Sequence, residues 1–181
     1  MPRSTGSRTG SVSAAAMFFC SASTRGCVVR PASRAASWAP ICSKRKRYGE
    51  LAISPVYRSF AVGFDGPDFL NLVVGCATEQ SPGEINGEIE IIHRMVGRER
   101  GEEKFSSRSL DIDLLLYDDQ VIDSPPLRIP RSDILEYAFV LRPLAELAPG
   151  IKHPVTGRTL ADHWADFDQA SQPLVPVADI L

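Results

Sequence analysis

The sequence predicts an α+β protein built around a single core. Three observations indicate this: apolar stretches rich in β-branched residues, a well-capped amphipathic helix that follows two of them, and a length of 181 residues, which suits one ordinary domain. Apolar residues make up 44% of the chain and charged residues 23%, values typical of soluble globular proteins. The longest strongly apolar run, residues 14–20, is seven residues long. This run is too short to span a membrane, so we expect no membrane partner.

Strands and one helix are predicted in the first half of the acidic part of the chain. Residues 51–59 are expected to form a strand, with Pro55 marking an edge or a bulge. Residues 69–76 are β-branched and apolar enough for a core strand. A helix is expected to begin at Ser81 as N-cap, with a proline in its first turn and Glu84 near its positive end.

The second half of the acidic part of the chain is expected to contain a strand of alternating apolar and polar residues, followed by helices. Residues 109–117 alternate with the period of a strand, and residues 121–122 are read as a short return strand. A helix is expected over residues 132–145, broken or kinked at Pro143. A short helix follows over residues 159–164.

Charge is distributed unevenly along the chain. Residues 1–49 contain nine of the 20 Lys and Arg residues and no acidic residue, whereas all 22 Asp and Glu residues come later. We expect a basic head over residues 1–47, a folded domain over residues 48–166 and a C-terminal tail over residues 167–181. A transit peptide, a short secretory signal and a disordered tail each fit the head. The formal net charge of −2 argues against a polycation that binds nucleic acid.

The cysteines predict neither a zinc site nor a disulfide framework. Three of the four lie in the basic head, and no CxxC pair exists. Cys76 is expected to be a buried small hydrophobe. The thiols favour a reducing compartment, and we expect a cytoplasmic location, with organelle targeting by the head left open.

Asp111 and Asp113 form the most informative pair of residues. Two positions apart on a strand, their carboxylates share one face, with about 7 Å between Cα atoms. Crowded carboxylates favour a neutralising cation, and hard oxygen ligands favour magnesium completed by substrate phosphates. Two ions can share such a pair in phosphoryl transfer. The alternative is a solvent-facing strand whose polar side is acidic.

Four cations lead into this pair: Arg98, Arg100, Lys104 and Arg108. Cations beside a metal–carboxylate cluster suit a polyphosphate, because they neutralise charge that develops on transfer. The alternative is a solvated basic loop balanced by neighbouring glutamates. Walker, GxGxxG and kinase motifs are all missing from the sequence, so the familiar nucleotide-binding folds are unsupported.

Residues 108–117, RSLDIDLLLY, resemble the signature R-[ST]-L-D-[IL]-D of the 6-hydroxymethyl-7,8-dihydropterin pyrophosphokinase family. Further segments that resemble the family occur in the same order. They are residues 54–59, 67–71, 97–100, 138–149 and 153–157. The resemblance covers residues 48–166. It implies a ferredoxin-like α+β sandwich, with helices packed on an antiparallel-rich sheet. It also implies transfer of pyrophosphate from ATP to the pterin hydroxymethyl group in folate biosynthesis, with release of AMP.

The resemblance also assigns roles to single residues on the nucleotide side. Asp111 and Asp113 would hold two magnesium ions, while Arg98 and Arg108 would contact phosphates and stabilise the moving charge. Further ATP contacts are implied for Lys104, Leu114 and Arg131. The implied partners are the two small-molecule substrates. We expect a monomer, with another folate-pathway enzyme as a further partner.

On the pterin side, the resemblance implies that Asn71 hydrogen-bonds the ring, whose donors and acceptors an amide can match. Phe139, aided by Phe69, would sandwich the flat ring. Ser59 and Val62 would line the pocket floor. For the two phenylalanines, plain core packing is the alternative.

The sequence also departs from the family pattern. The family's first strand, which ends in Gly-Ser-Asn in the middle of the sheet, has no match in residues 1–47, and a misannotated start is one explanation. A family His that touches ATP falls at Arg131, a family Arg near the phosphates at Tyr137, and a helix Glu at His93. A degenerate, non-catalytic pterin- or nucleotide-binding relative and a fragment that acts with another folate enzyme therefore remain alternatives.

Overall fold

The computed structural model describes residues 14–23, 48–60, 68–96 and 110–178. Within them, a six-stranded sheet has the order β5-β1-β4-β3-β8, with β2 also paired to β4, and β6 and β7 form a separate hairpin. The strands are β1 (Ala14–Ser23), β2 (Tyr48–Ile53), β3 (Val56–Ser59), β4 (Phe69–Thr78), β5 (Asp111–Tyr117), β6 (Ile122–Ser124), β7 (Leu127–Ile129) and β8 (Val175–Val177). The helices are α1 (Pro82–Met95), α2 (Asp133–Glu136), α3 (Ala138–Leu147) and α4 (Leu160–Asp166).

Strand β1 lies in the middle of the sheet, where it pairs antiparallel with β4 on one side and β5 on the other. The expectation that residues 1–47 provide no such strand is therefore wrong. An apolar run of seven residues is too short for a membrane span but long enough for a strand buried on both faces. Its members Ala16 and Cys20 have no measurable exposure. Without β1, the backbone groups of β4 and β5 would lose their partners.

The C-terminal tail also reaches the sheet. Strand β8 (Val175–Val177) pairs with β3 and extends the sheet beyond residue 166. The sheet thus includes strands on both sides of the residue range 48–166 that was expected for the folded domain. Three-residue strands of this kind carry too little periodicity to be recognised in a sequence, because their pairing depends on a neighbouring edge.

Two apolar layers enclose the sheet. On one face, α1 places Ile85, Ile89 and Ile92 against Phe18 and Val74. Helix α1 begins as expected: the Ser81 side chain accepts a hydrogen bond from the backbone of Glu84, and the Glu84 carboxylate accepts one from the backbone of Ser81.

The opposite face is covered by α3 and α4. Leu141, Leu144 and Leu160 are buried there against Phe19 and Val73 of the sheet. These contacts place α3 against β1 and β4.

The helix expected over residues 132–145 is interrupted, but not where the sequence predicts. Tyr137 is extended, with φ −121° and ψ 126°, and separates α2 from α3. Pro143 lies inside α3 without ending it. A proline removes one backbone donor, and the buried apolar face of α3 offsets that loss.

Other expected elements are confirmed with small changes. The strand expected over residues 51–59 is split into β2 and β3 around Ser54 and Pro55. Ser54 keeps the sheet connected there, because its hydroxyl accepts a hydrogen bond from the Val73 N–H at 2.9 Å. None of the described helices combines the length and apolar character needed to cross a bilayer.

Candidate functional site

Three polar residues form a row across three neighbouring strands. Asp111 of β5 pairs with Ser21 of β1, and Ser21 pairs with Asn71 of β4. Residues paired directly across strands lie on the same face, and neighbouring strands are about 4.8 Å apart. The row therefore separates Asp111 from Asn71 by about 10 Å.

Asp113 lies on the same face as Asp111, because strand β5 alternates. Both carboxylates are partly exposed, at 24% and 29% of their side chains, and a basic side chain lies beside each of them. His93 Nε2 is 3.5 Å from Asp111 Oδ1, and Arg131 Nη1 donates to Asp113 Oδ1 at 3.0 Å. The pair predicted from the sequence is thus assembled at the end of the row.

His93 connects helix α1 to strand β5. Its Nε2 accepts the backbone N–H of Ile112 at 2.9 Å, and the side chain is buried. Because Nε2 serves as acceptor, a neutral His93 ring carries its proton on Nδ1 in this geometry. Ile112 stands between the two aspartates, so His93 fixes the backbone that carries them.

Arg131 is held between two carboxylates. Besides Asp113, it donates from Nε to Asp133 Oδ2 at 2.6 Å, and its backbone N–H donates to Leu115 O at 3.1 Å. Burial opposes the charged guanidinium, but Asp113 and Asp133 outweigh this effect and raise the pKa of Arg131 above its usual value. Arg131 is therefore a fixed cation beside Asp113.

The opposite end of the row is buried and neutral. Asn71 is 1% exposed, and its Nδ2 donates to Ser59 Oγ at 2.9 Å. Ser59 is itself 6% exposed. The hydroxyl therefore fixes the amide group of Asn71.

Three aromatic rings, those of Phe19, Phe139 and Tyr137, contact one another on the face of the sheet that carries the row. Phe139 stacks on Tyr137, with centroids 5.0 Å apart and planes 16° apart, and contacts Phe19 at 5.7 Å. Phe19 is the cross-strand neighbour of Asp113, and Phe69 that of Ser59. Sequence reasoning missed the roles of Phe19 and Ser21, because the strand that carries them was not predicted. The apolar run at residues 14–20 was the available signal.

The remaining predicted site residues divide into two groups. Leu114 lies on the opposite face from the aspartates, buried in the core beneath α1, so its side chain does not join this group. Val62, Arg98, Lys104 and Arg108 lie outside the described residues.

A cleft of about 440 Å³ opens beside Arg131. Its walls include the apolar side chains of Ile122, Ile129 and Val155 as well as the carboxylate of Asp133. Sequence reasoning did not single out this cleft, because its walls come from the β6–β7 hairpin and from a distant turn.

Cys20 lies on the other side of β1 from this site and takes no part in it. Burial, together with Asp113 and Asp111, raises the pKa of the Cys20 thiol far above its usual value. The thiol therefore stays protonated and inert as a nucleophile.

The family model described as 7,8-dihydro-6-hydroxymethylpterin-pyrophosphokinase (HPPK) matches residues 32–149 of this chain. A 2-amino-4-hydroxy-6-hydroxymethyldihydropteridine pyrophosphokinase of Pseudomonas aeruginosa is 37% identical over 113 residues, which cover 62% of this chain and 68% of that protein. The Aquifex aeolicus protein of the same name is 36% identical over 111 residues, covering 61% and 69%.

Longer proteins match as well. The folic acid synthesis protein fol1 of Pneumocystis carinii is 33% identical over 128 residues, which cover 70% of this chain and 17% of that protein. The chain thus spans a small part of this relative and about two thirds of the bacterial ones. Among solved structures, wild-type HPPK-DHPS of Plasmodium falciparum matches with a TM-score of 0.64 and 14% identity, covering 84% of this chain and 44% of that chain. This likeness concerns the fold.

Proposed function

The chain belongs to the 7,8-dihydro-6-hydroxymethylpterin-pyrophosphokinase (HPPK) family, and from this premise we propose that it transfers pyrophosphate from ATP to 6-hydroxymethyl-7,8-dihydropterin in folate synthesis. Release of AMP requires that the hydroxymethyl oxygen bonds to the β-phosphorus of ATP. The bond from that phosphorus to the oxygen bridging the α- and β-phosphates then breaks, and the hydroxyl proton is lost to a base or to water.

The row across the sheet is the observation that carries this proposal. It places two carboxylates at one end and a buried, fixed amide at the other, about 10 Å apart. A flat ring bound at Asn71 would direct its hydroxymethyl arm along the row toward Asp111 and Asp113. Both substrates of the transfer reaction would thus bind on the same face of the sheet.

Asp111 and Asp113 fit a site for magnesium, and we propose that they hold two ions. Their donor atoms are hard carboxylate oxygens, which magnesium prefers. Among the described residues, no three His, Cys, Asp or Glu side chains come together as a metal cluster. Such a sparse donor set suits magnesium, because it retains waters and takes further ligands from substrate phosphates. When bound, the ions would neutralise the triphosphate and polarise its oxygens.

The protein's own residues would bind and orient the substrates. The Asn71 amide would pair with the polar edge of the pterin, with Ser59 holding that amide in place. Phe139 and Phe69 would cover the faces of the ring and exclude water. Arg131 would contact the phosphates of ATP, which a guanidinium matches in geometry.

The proposal also covers the remaining substrate contacts, the oligomeric state and the cellular location. Arg98, Arg108 and Lys104 would add cations for the triphosphate, and Val62 would line the pterin pocket. We propose a cytoplasmic monomer that works with another enzyme of folate synthesis. The match to parts of longer proteins, 17% of fol1 and 44% of the HPPK-DHPS chain, supports such a partner.

The test measures AMP formed from ATP, Mg²⁺ and 6-hydroxymethyl-7,8-dihydropterin. We expect the wild-type chain to produce AMP and an Asp111→Asn/Asp113→Asn variant to lose this activity while keeping its fold. Asp119→Asn, which removes an exposed carboxylate just after β5, is the matched control and should keep full activity. Nucleotide binding without AMP formation by the wild type would indicate a non-catalytic relative and refute the proposal.

A further inference from the structure

Asp113 already has a cation bound to it. Arg131 Nη1 donates to its Oδ1 at 3.0 Å, and the second contact of Arg131, with Asp133, sets the direction in which the guanidinium points. The backbone of Arg131 is tied to the same strand, since its N–H donates to Leu115 O. Arg131 is therefore held beside Asp113 by hydrogen bonds of both its side chain and its backbone.

Arg131 and a divalent ion would compete for the same carboxylate. A magnesium ion that arrives alone must either displace the guanidinium from Oδ1 or bind close to its positive charge. Both disfavour binding, because like charges repel most strongly where solvent screening is reduced. The Arg131 side chain is 37% exposed, so a ligand from solvent can reach it.

A triphosphate changes this balance. Its oxygens match the fork of donors on a guanidinium and form charge-assisted hydrogen bonds with it. Binding of ATP would therefore draw Arg131 away from Asp113 and remove its competition with the metal ion. Metal and nucleotide would then strengthen each other's binding to the same extent, as linkage requires.

We propose that Arg131 weakens the binding of divalent ions at Asp113 until a triphosphate binds, with Asp133 as the positioning residue that holds Arg131 against Asp113. This inference rests on the proposed function, because it takes Asp113 as a metal ligand and a triphosphate as substrate. Asp133, for which the family resemblance implies no role, would position Arg131. Arg131 would act in the nucleotide-free protein by competing with metal ions for Asp113.

The first experiment measures Mn²⁺ binding to the nucleotide-free protein through the electron paramagnetic resonance signal of free Mn²⁺. We expect Arg131→Gln to bind Mn²⁺ about three- to fivefold more tightly than the wild type, the range set by one partly exposed ion pair. Arg128→Gln is the matched control. It removes the same charge from the neighbouring hairpin, where Arg128 pairs with Asp123 at 3.3 Å, and should leave Mn²⁺ affinity within twofold.

Asp133→Ala tests the positioning role by the sign of its effect. Removing an acidic residue would weaken cation binding if only net charge mattered. If Asp133 holds Arg131 against Asp113, its loss frees the guanidinium, and Mn²⁺ should bind more tightly, though by less than in Arg131→Gln. Weaker Mn²⁺ binding in Asp133→Ala would refute the role of Asp133.

The second experiment repeats the Mn²⁺ titrations with α,β-methylene-ATP, which cannot be cleaved between its α- and β-phosphorus atoms. The analogue should strengthen Mn²⁺ binding more in the wild type than in Arg131→Gln. Equal Mn²⁺ affinities of wild type and Arg131→Gln without nucleotide would overturn the inference and leave the proposed function standing. A wild type that binds neither Mn²⁺ nor the analogue would overturn both.

Discussion

The two ends of the row differ in what holds their side chains. At the carboxylate end, on β5 at the edge of the described part of the sheet, Asp113 and Arg131 form an ion pair whose side chains are 29% and 37% exposed. At the amide end, on the interior strand β4, Asn71 and Ser59 form a neutral hydrogen bond and are almost completely buried.

This difference indicates how each end would work. Partly exposed ion pairs exchange partners at little free-energy cost, whereas a buried polar group that loses its partner is strongly destabilised. We therefore expect the amide end to be preorganised for one ligand and the carboxylate end to rearrange when ligands bind.

Asp113→Asn should abolish most activity while leaving the fold intact. The amide keeps the size of the side chain but loses the charge that would hold a divalent ion, so kcat should fall by about 10²- to 10³-fold. AMP formation at saturating substrates measures this effect, and the melting temperature reports the fold. Retention of more than a tenth of the activity would contradict the assignment of Asp113 as a metal ligand.

Asn71→Leu should affect both stability and pterin binding, because this end is buried. Ser59 and the neighbouring backbone oxygens would lose their partner, which should lower the free energy of unfolding by about 1–3 kcal/mol. Urea denaturation measures the first effect and pterin titration the second. If the variant were as stable as the wild type, the amide end would not be preorganised as described.

His93→Leu should weaken the connection between α1 and β5. The Ile112 N–H would lose its acceptor, which should cost about 1–2 kcal/mol of unfolding free energy. His93→Gln, which offers a side-chain oxygen as acceptor, should recover part of this loss. Mn²⁺ affinity in the presence of α,β-methylene-ATP should follow the same order, because His93 holds the backbone between the aspartates. Equal effects of the two substitutions would argue against this backbone contact.

Phe139→Leu should have the smallest effect, confined to the pterin. An aromatic contact beyond simple area burial contributes about 0.5–1.5 kcal/mol, so pterin affinity should fall by about two- to tenfold. The affinity for α,β-methylene-ATP should stay unchanged, since Phe139 is proposed to cover the pterin ring, whereas Arg131 is proposed to contact the phosphates. A comparable loss of nucleotide affinity would show that the two ends are not independent.

Particular residues show which parts of the site could be predicted. The alternation around Ile112 places Asp111 and Asp113 on one face of a strand, and that placement is confirmed. The first turn of α1 could also be predicted, because Ser81 and Glu84 form a local capping box. Both features depend on neighbours within a few residues in the sequence.

Other features depended on contacts between distant segments. Arg131 meets Asp113 across 18 residues, and β1 joins strands more than 45 residues away in the sequence. The break at Tyr137 was expected at Pro143, because the preference of a proline is local while the burial of α3 is not. Strand β1 supplies the central strand whose expected absence favoured a non-catalytic relative.

The sequence by itself determined the family, the α+β class, the carboxylate pair and the capped helix, because motifs, periodicity and capping act over short distances. Only the tertiary structure decided that residues 14–23 complete the sheet, that Ser21 joins Asp111 to Asn71, and that Arg131 occupies Asp113. These features follow from strand register and side-chain packing, which depend on which distant segments become neighbours when the core is buried.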